Sequence, residues 1–350
     1  MPATPLLHHH LVGPAGAPPL ILGPSLGTSR AVWEPQLPSL GGRFQVLRFD
    51  LPGHGGSTSA ALPQPEPGRT TVGHLAALVL SLADHHGWDR FHYAGISLGG
   101  AIGAHLAARH PGRITSLALV CSSAHFGAAQ PWNERAGLVR LRGTAPLLET
   151  SPSRWFATAD GAETPFGRRL LGNLADADPI GYAACCDALA SYDLRHELAV
   201  ISAPTLVVGG TLDTATPLEH AKELARGIPH AVLKTIACGH LAAEQPGHCK
   251  TCSPHTCAPP VWNPGQGFPG PADSGPTGAV VKRRISAAAE AAVATGGPTG
   301  RRAGATPGVA ARPSGESERR RHGIPCGTAR AGEWPSRAAF YETIVRRMTQ

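Results

Sequence analysis

Residues 91–107 read FHYAGISLGGAIGAHLA. An apolar run ending at Ile96 gives way at Ser97 to an alanine-rich segment with helical spacing. A strand that turns this abruptly into a helix holds its central residue in strained backbone geometry. It also leaves little room for side chains two positions either side, which accounts for Gly95 and Gly99. The turn thrusts the Ser97 hydroxyl outward, beside a helix N-terminus that favours negative charge. The pattern is G-x-S-x-G, a weak signal as five residues and a strong one with a strand before it and a helix after it. The bland alternative is a serine in an ordinary glycine-rich turn.

Outward from this corner the chain alternates. Short apolar runs lie at 19–23, 44–50, 91–96, 114–122, 204–210 and 231–237, and helical patterns at 71–87, 97–110 and 216–227. Gly87 and Gly227 sit where helix C-caps belong, Pro111 stops the middle helix, and Thr216-Pro217 reads as N-cap then first turn. Such alternation predicts an α/β fold, a mostly parallel sheet with helices on both faces. Between 127 and 192 strand signals vanish and short helical pieces follow, so a helical cap inserted into a core of 1–126 and 193–248 is expected.

A serine nucleophile needs a base, and the base an orienting acid. In this architecture the order is Ser, then Asp or Glu, then His, each after a strand. Asp213 follows strand 204–210 and His240 follows strand 231–237. Asp193 is the rival acid, but it precedes a strand. His54, in DLPGHGGS, is a further candidate, more simply part of the turn after strand 44–50. Acyl transfer also needs N–H donors for an oxyanion. Leu98, directly after the serine, supplies one. The loop GPSLGTS after strand 19–23 supplies the other; Pro24 has no N–H, so Ser25 is expected, with Leu26 next.

The chain has 350 residues, 42% of them hydrophobic, enough for a substantial core. No basic leader, long apolar stretch or membrane span is expected at the N-terminus, and the eight cysteines lack disulfide-like spacing, which points to a reducing cytoplasm. The formal charge of +7 does not imply a nucleic-acid partner, because residues 1–248 hold 17 basic against 18 acidic side chains. The excess lies in residues 249–350, which contain no leucine against 35 in residues 1–248. This basic, Arg/Ala/Gly/Pro-rich extension is expected to be disordered, or the product of a reading-frame shift. Cys249, Cys252, His255 and Cys257 are crowded for a zinc site, so no metal is expected. Phe340, Ile344 and Met348, four residues apart, read as one face of a short helix.

PSLGTSRAVWEPQLPSLGGRFQVLRFDLPGHGGS, AGISLGGAIGAHLAARHPGRI, APTLVVGGTLDTATPLEHA and CGHLAAEQP resemble the α/β-hydrolase superfamily and, more narrowly, the 3-oxoadipate enol-lactonases. The SLGTS loop with Trp33 and Pro35-Gln36 after it is more telling than G-x-S-x-G, and the likeness runs from about residue 5 to 248. Two departures stand out: Pro24 where the family usually has Asn, and loss of the pattern after Gly247, where the family continues into a helix.

The resemblance implies hydrolysis of the enol-lactone to 3-oxoadipate in protocatechuate or catechol breakdown, with no cofactor. Ser97 would be the nucleophile, His240 the base and Asp213 its partner. The substrate is a small lactone carrying a carboxylate, which calls for a cation in the cap. Arg135 and Arg140 are the candidates, with Trp132 as a pocket wall. The competing readings are a carboxylesterase or C–C-bond hydrolase with the same triad, and a non-catalytic relative.

Overall fold

The computed structural model describes residues 5–242 together with Tyr341 and Ile344, all within one compact unit. The extension's other residues, including the Cys249–Cys257 cluster, Phe340 and Met348, lie outside the described residues.

Seven strands form one sheet in the order β1-β3-β2-β4-β5-β6-β7: His9–Val12, Pro19–Gly23, Gln45–Phe49, Phe91–Ile96, Ile114–Val120, Thr205–Gly210 and Val232–Ile236 for β1 to β7. All neighbouring pairs are parallel except β1 with β3. β1 is absent from the sequence reading. Its HHLV run is short and histidine-rich, and only pairing with β3 makes it a strand. Strands β4 and β6 are buried at every position, as a sheet covered on both faces requires.

The helices are α1 Leu37–Leu40, α2 Val72–His85, α3 Leu98–Arg109, α4 Ala129–Arg142, α5 Ser151–Trp155, α6 Ala159–Glu163, α7 Pro165–Ala175, α8 Pro179–Ala190 and α9 Leu218–Gly227. Helices α4 to α8 all fall between β5 and β6, as the strandless composition there predicts. Two capping expectations are corrected. Gly87 follows the α2 cap with φ +69°, but Gly227 lies inside α9 with ordinary backbone. It is glycine because a Cβ there would stand 2.4 Å from Leu198 Cδ1. Pro217, not Thr216, is the N-cap of α9.

The core is continuous from the β-sheet into the helical segment, with Trp33, Phe44, Phe49, Phe91 and Tyr93 fully buried. Ile344 is helical and completely buried in the same core, and Tyr341 packs against it. Both fall where the spacing of Phe340, Ile344 and Met348 reads as one face of a short helix. Among the described residues Cys121, Cys185, Cys186 and Cys238 are buried free thiols.

Candidate active site

Strand order reverses at β2 and β4, which carry their connections to opposite sides. In open α/β sheets ligands bind at that switch point, beyond the carboxyl ends of the strands. Gly23 of β2 and Gly95 of β4 are register partners, so two residues later Ser25 and Ser97 emerge side by side. Both line one pocket.

Ser97 has φ 54° and ψ −117°, a conformation that costs a non-glycine residue roughly 1–3 kcal/mol. Its surroundings impose it. A Cβ on Gly95 would stand 2.2 Å from the Gly99 carbonyl, and one on Gly99 would stand 2.3 Å from the Gly23 oxygen. The N–H of Ser97 donates to Val120 O at 3.0 Å, and Ser122 Oγ donates to the Ser97 carbonyl at 2.8 Å. Leu98 opens α3, so its N–H has no intrahelical acceptor and is free for an oxyanion. Across the pocket, residues 25–28 form a turn closed by Thr28 N–H to Ser25 O at 3.1 Å. Leu26 lines the pocket beside Ser25.

The second pair of strands delivers the other two groups. Gly210 of β6 pairs with Ile236 of β7, and the loops beyond them are tied by Leu212 N–H to Cys238 O at 3.1 Å. Asp213 and His240 lie just beyond, with His240 Nδ1 at 3.0 and 3.1 Å from the two Asp213 oxygens. The carboxylate also accepts from Ala215 N (2.8 Å), Thr216 N (2.9 Å) and Thr216 Oγ1 (2.6 Å). Burial pushes the Asp213 carboxyl up, but His240 and these hydrogen bonds outweigh it and hold it below its ordinary value. An ionised acceptor at Nδ1 keeps the proton there and leaves the His240 Nε2 lone pair to act as a base. Thr216, expected only as a helix cap, is thus a carboxylate partner. His240 lines the same pocket as Ser97.

Besides Ala215 and Thr216 after β6, the remaining walls are Phe126 after β5 and, from the helical segment, Trp132, Arg135, Arg154, Trp155, Tyr182 and Leu189. The Arg135 guanidinium sits over the Trp132 ring, 5.5 Å from its centroid, and reaches Tyr182 Oη at 3.5 Å. Arg154 is half-buried; burial first, then the charge of Arg135, disfavours its protonated form. Neither arginine has an ion-pair partner among the described residues. Arg154 nevertheless keeps its charge at neutral pH, since guanidinium is not deprotonated in proteins.

Three expectations are resolved differently from one another. Arg140 does not line the pocket: its guanidinium is held by Asp187, a carboxylate 4% exposed that also accepts from Gly68 N at 2.9 Å. Asp193 is far from the role of rival acid, because it forms a two-bonded pair with Arg195 at the surface. His54 is buried and bonded to backbone on both ring nitrogens. Arg154, Trp155 and Tyr182 were missed. Their only signal was a charged or aromatic residue within short helical stretches, and which face turns inward depends on how those stretches pack.

A wider hollow lined by His125, Arg195, Glu219, His220, Glu223 and Arg226 mixes charges of both signs and contains neither Ser97 nor His240. Among the described residues no group of three or more His, Cys, Asp or Glu could hold a metal ion, and no helix is long and apolar enough to cross a membrane.

Comparison with known proteins bears on this arrangement. Residues 18–146 match the family model for the α/β-hydrolase fold, and residues 182–262 that for TAP-like proteins. The chain is 34% identical over 242 residues to 3-oxoadipate enol-lactonase 2 of Acinetobacter baylyi, covering 69% of this chain and 88% of that protein. It is 30% identical over 222 residues to the pimeloyl-[acyl-carrier protein] methyl ester esterase of Vibrio parahaemolyticus, covering 61% and 83%. The crystal structure of the enol-lactonase from Burkholderia xenovorans superposes with a TM-score of 0.63 at 35% identity, over 67% of this chain and 90% of that one. With this sheet, this order of loops and these relatives, the chain belongs to the α/β-hydrolase superfamily.

Proposed function

We propose that this chain is a serine hydrolase that opens 3-oxoadipate enol-lactone to 3-oxoadipate. The observation that carries the reading is the pair of guanidiniums, Arg135 and Arg154, lining the same pocket as Ser97 and His240 without carboxylates of their own. A small acyl substrate bearing a carboxylate supplies the missing charge, and planar guanidinium suits it well. The enol-lactonase relatives are consistent with that choice.

In this mechanism Ser97 Oγ attacks the lactone carbonyl while His240 Nε2 takes its proton. Asp213 holds the imidazolium through Nδ1–H. The oxyanion is met by the N–H groups of Leu98 and of the Ser25–Leu26 turn. Collapse breaks the ring C–O bond and releases an enolate, which takes a proton from His240 and becomes the ketone. Water, deprotonated by His240, then attacks the acyl-serine, and His240 returns that proton to Ser97 Oγ as the C–O bond breaks and the second carboxylate is freed. An enolate is a good leaving group, so acylation asks less of the acid than an amide would. No cofactor enters any step.

The apolar walls at Phe126, Trp132 and Trp155, together with the esterase relative, support a second reading: a carboxylesterase using the same triad on another ester. Loss of enol-lactone ultraviolet absorbance, measured beside p-nitrophenyl acetate hydrolysis, separates the two. Lactone turnover far above ester turnover, abolished in Ser97→Ala, is the expected result. Ester turnover alone would overturn the lactone and leave the nucleophile standing.

A further inference from the structure

The oxyanion turn after β2 is held by a side chain to which no role has yet been given. Gly27, with φ +81°, sits inside the Ser25–Thr28 turn, and its N–H donates to His54 Nε2 at 3.1 Å. His54 comes from the loop after β3 and is 1% exposed. Its other ring nitrogen, Nδ1, is 2.9 Å from the Pro52 carbonyl. A carbonyl only accepts, so Nδ1 carries the proton. The Gly27 N–H only donates, so Nε2 carries the lone pair. Two backbone groups thus specify one neutral tautomer. They also occupy both nitrogens, so this histidine has nothing left with which to serve Ser97 as a base.

The ring is fixed in the third direction as well. It stacks on Tyr182, with centroids 5.7 Å apart and planes 26° apart, and Tyr182 is the residue that Arg135 reaches. One imidazole therefore links the loop after β3, the turn after β2 and the α8 wall of the pocket.

We propose that His54 is a positioning residue for the oxyanion hole: its Nε2 lone pair holds the Leu26–Gly27 peptide, and through it the N–H groups of Ser25 and Leu26, where charge develops on the acyl oxygen. The proposal rests on Ser97 being an acyl-transfer nucleophile and is indifferent to which ester or lactone it takes. Removing one oxyanion donor outright costs about 10²–10³ in kcat. Letting a donor drift costs less, on the order of 10–10²-fold.

The test compares the full chain with His54→Leu and His54→Gln, using p-nitrophenyl acetate, phenylboronic acid as a tetrahedral mimic, and thermal melting. His54→Leu removes the acceptor, while the glutamine Oε1 can take the Gly27 N–H. The expected result for leucine is a kcat about 10–10² lower, with KM within a few-fold of the parent and boronate affinity falling in step with kcat. Glutamine should recover most of both. Unchanged kcat and boronate affinity in a folded His54→Leu chain would overturn the proposal. So would equal losses in both variants accompanied by raised KM and lowered melting temperature.

If the leucine variant does not fold, the ¹⁵N shifts of His54 in the parent decide. A protonated Nδ1 with a lone-pair Nε2 supports the proposal, and the opposite tautomer overturns it. Failure of the serine-hydrolase reading shows separately, as a parent chain no more active on the ester than Ser97→Ala; that result overturns this proposal with it.

Discussion

The site has two halves built by different means. Around Ser97 and the Ser25–Thr28 turn the working groups are mostly backbone, aimed by register and by glycines where an added Cβ would stand about 2.2 Å from neighbouring backbone. In the segment from α4 to α8 they are side chains, Trp132, Arg135, Arg154 and Tyr182, carried by three separate helices. The first half leaves almost no freedom of sequence. The second sets charge and shape through side chains, and meets the first where Tyr182 stacks on His54. Under the proposed function the first half carries the chemistry and the second the selectivity, and substitutions should sort accordingly.

The largest effect belongs to the strand ends. Ser97→Ala should lower kcat by on the order of 10⁶ on any acyl substrate, with melting close to the parent. A folded variant retaining a tenth of the activity would break the division at its centre. Asp213→Asn should cost about 10⁴ in kcat, because an amide at Nδ1 no longer enforces the tautomer the base requires. Its KM should stay near the parent value, since Asp213 contacts His240 rather than the pocket.

The helical half should respond in KM. Arg135→Ala or Arg154→Ala should each raise KM for the enol-lactone roughly 10–100-fold, the size of one charged hydrogen bond, and leave p-nitrophenyl acetate turnover unchanged. An Arg135→Ala chain with the parent KM for the lactone would remove that residue from the carboxylate site. Arg140→Ala is the smallest change for function and sharpens the contrast. It leaves Asp187 buried without its guanidinium, so a loss of about 2 kcal/mol and a melting temperature lower by roughly 4–8 °C are expected. Steady-state kinetics on the folded variant should match the parent.

The same division explains what the sequence made legible. Five of the seven strands are readable because parallel strands inside a covered sheet are short, largely apolar runs, and the mostly exposed edge strand β7 is readable from its β-branched residues. Ser97, Asp213 and His240 are readable because each sits within a few residues past such a run, in the order this architecture demands. β1 was not, because HHLV has no strand pattern until β3 offers it a partner. Arg135 and Arg140 are five residues apart on one helix and equally plausible from sequence. Only packing turns the first towards Trp132 and the pocket and gives the second to Asp187 on α8.

By itself, then, the sequence determined the fold class, the corner serine and the strand-end positions of its partners, since these follow from local periodicity and from sterics within a few residues. Tertiary structure alone decided which cations face the pocket, that His54 grips Gly27, and that Ile344 returns to the core. Each of those contacts joins residues distant in the chain or selects one face of a helix. No local pattern encodes that choice, because it is made only when the elements pack.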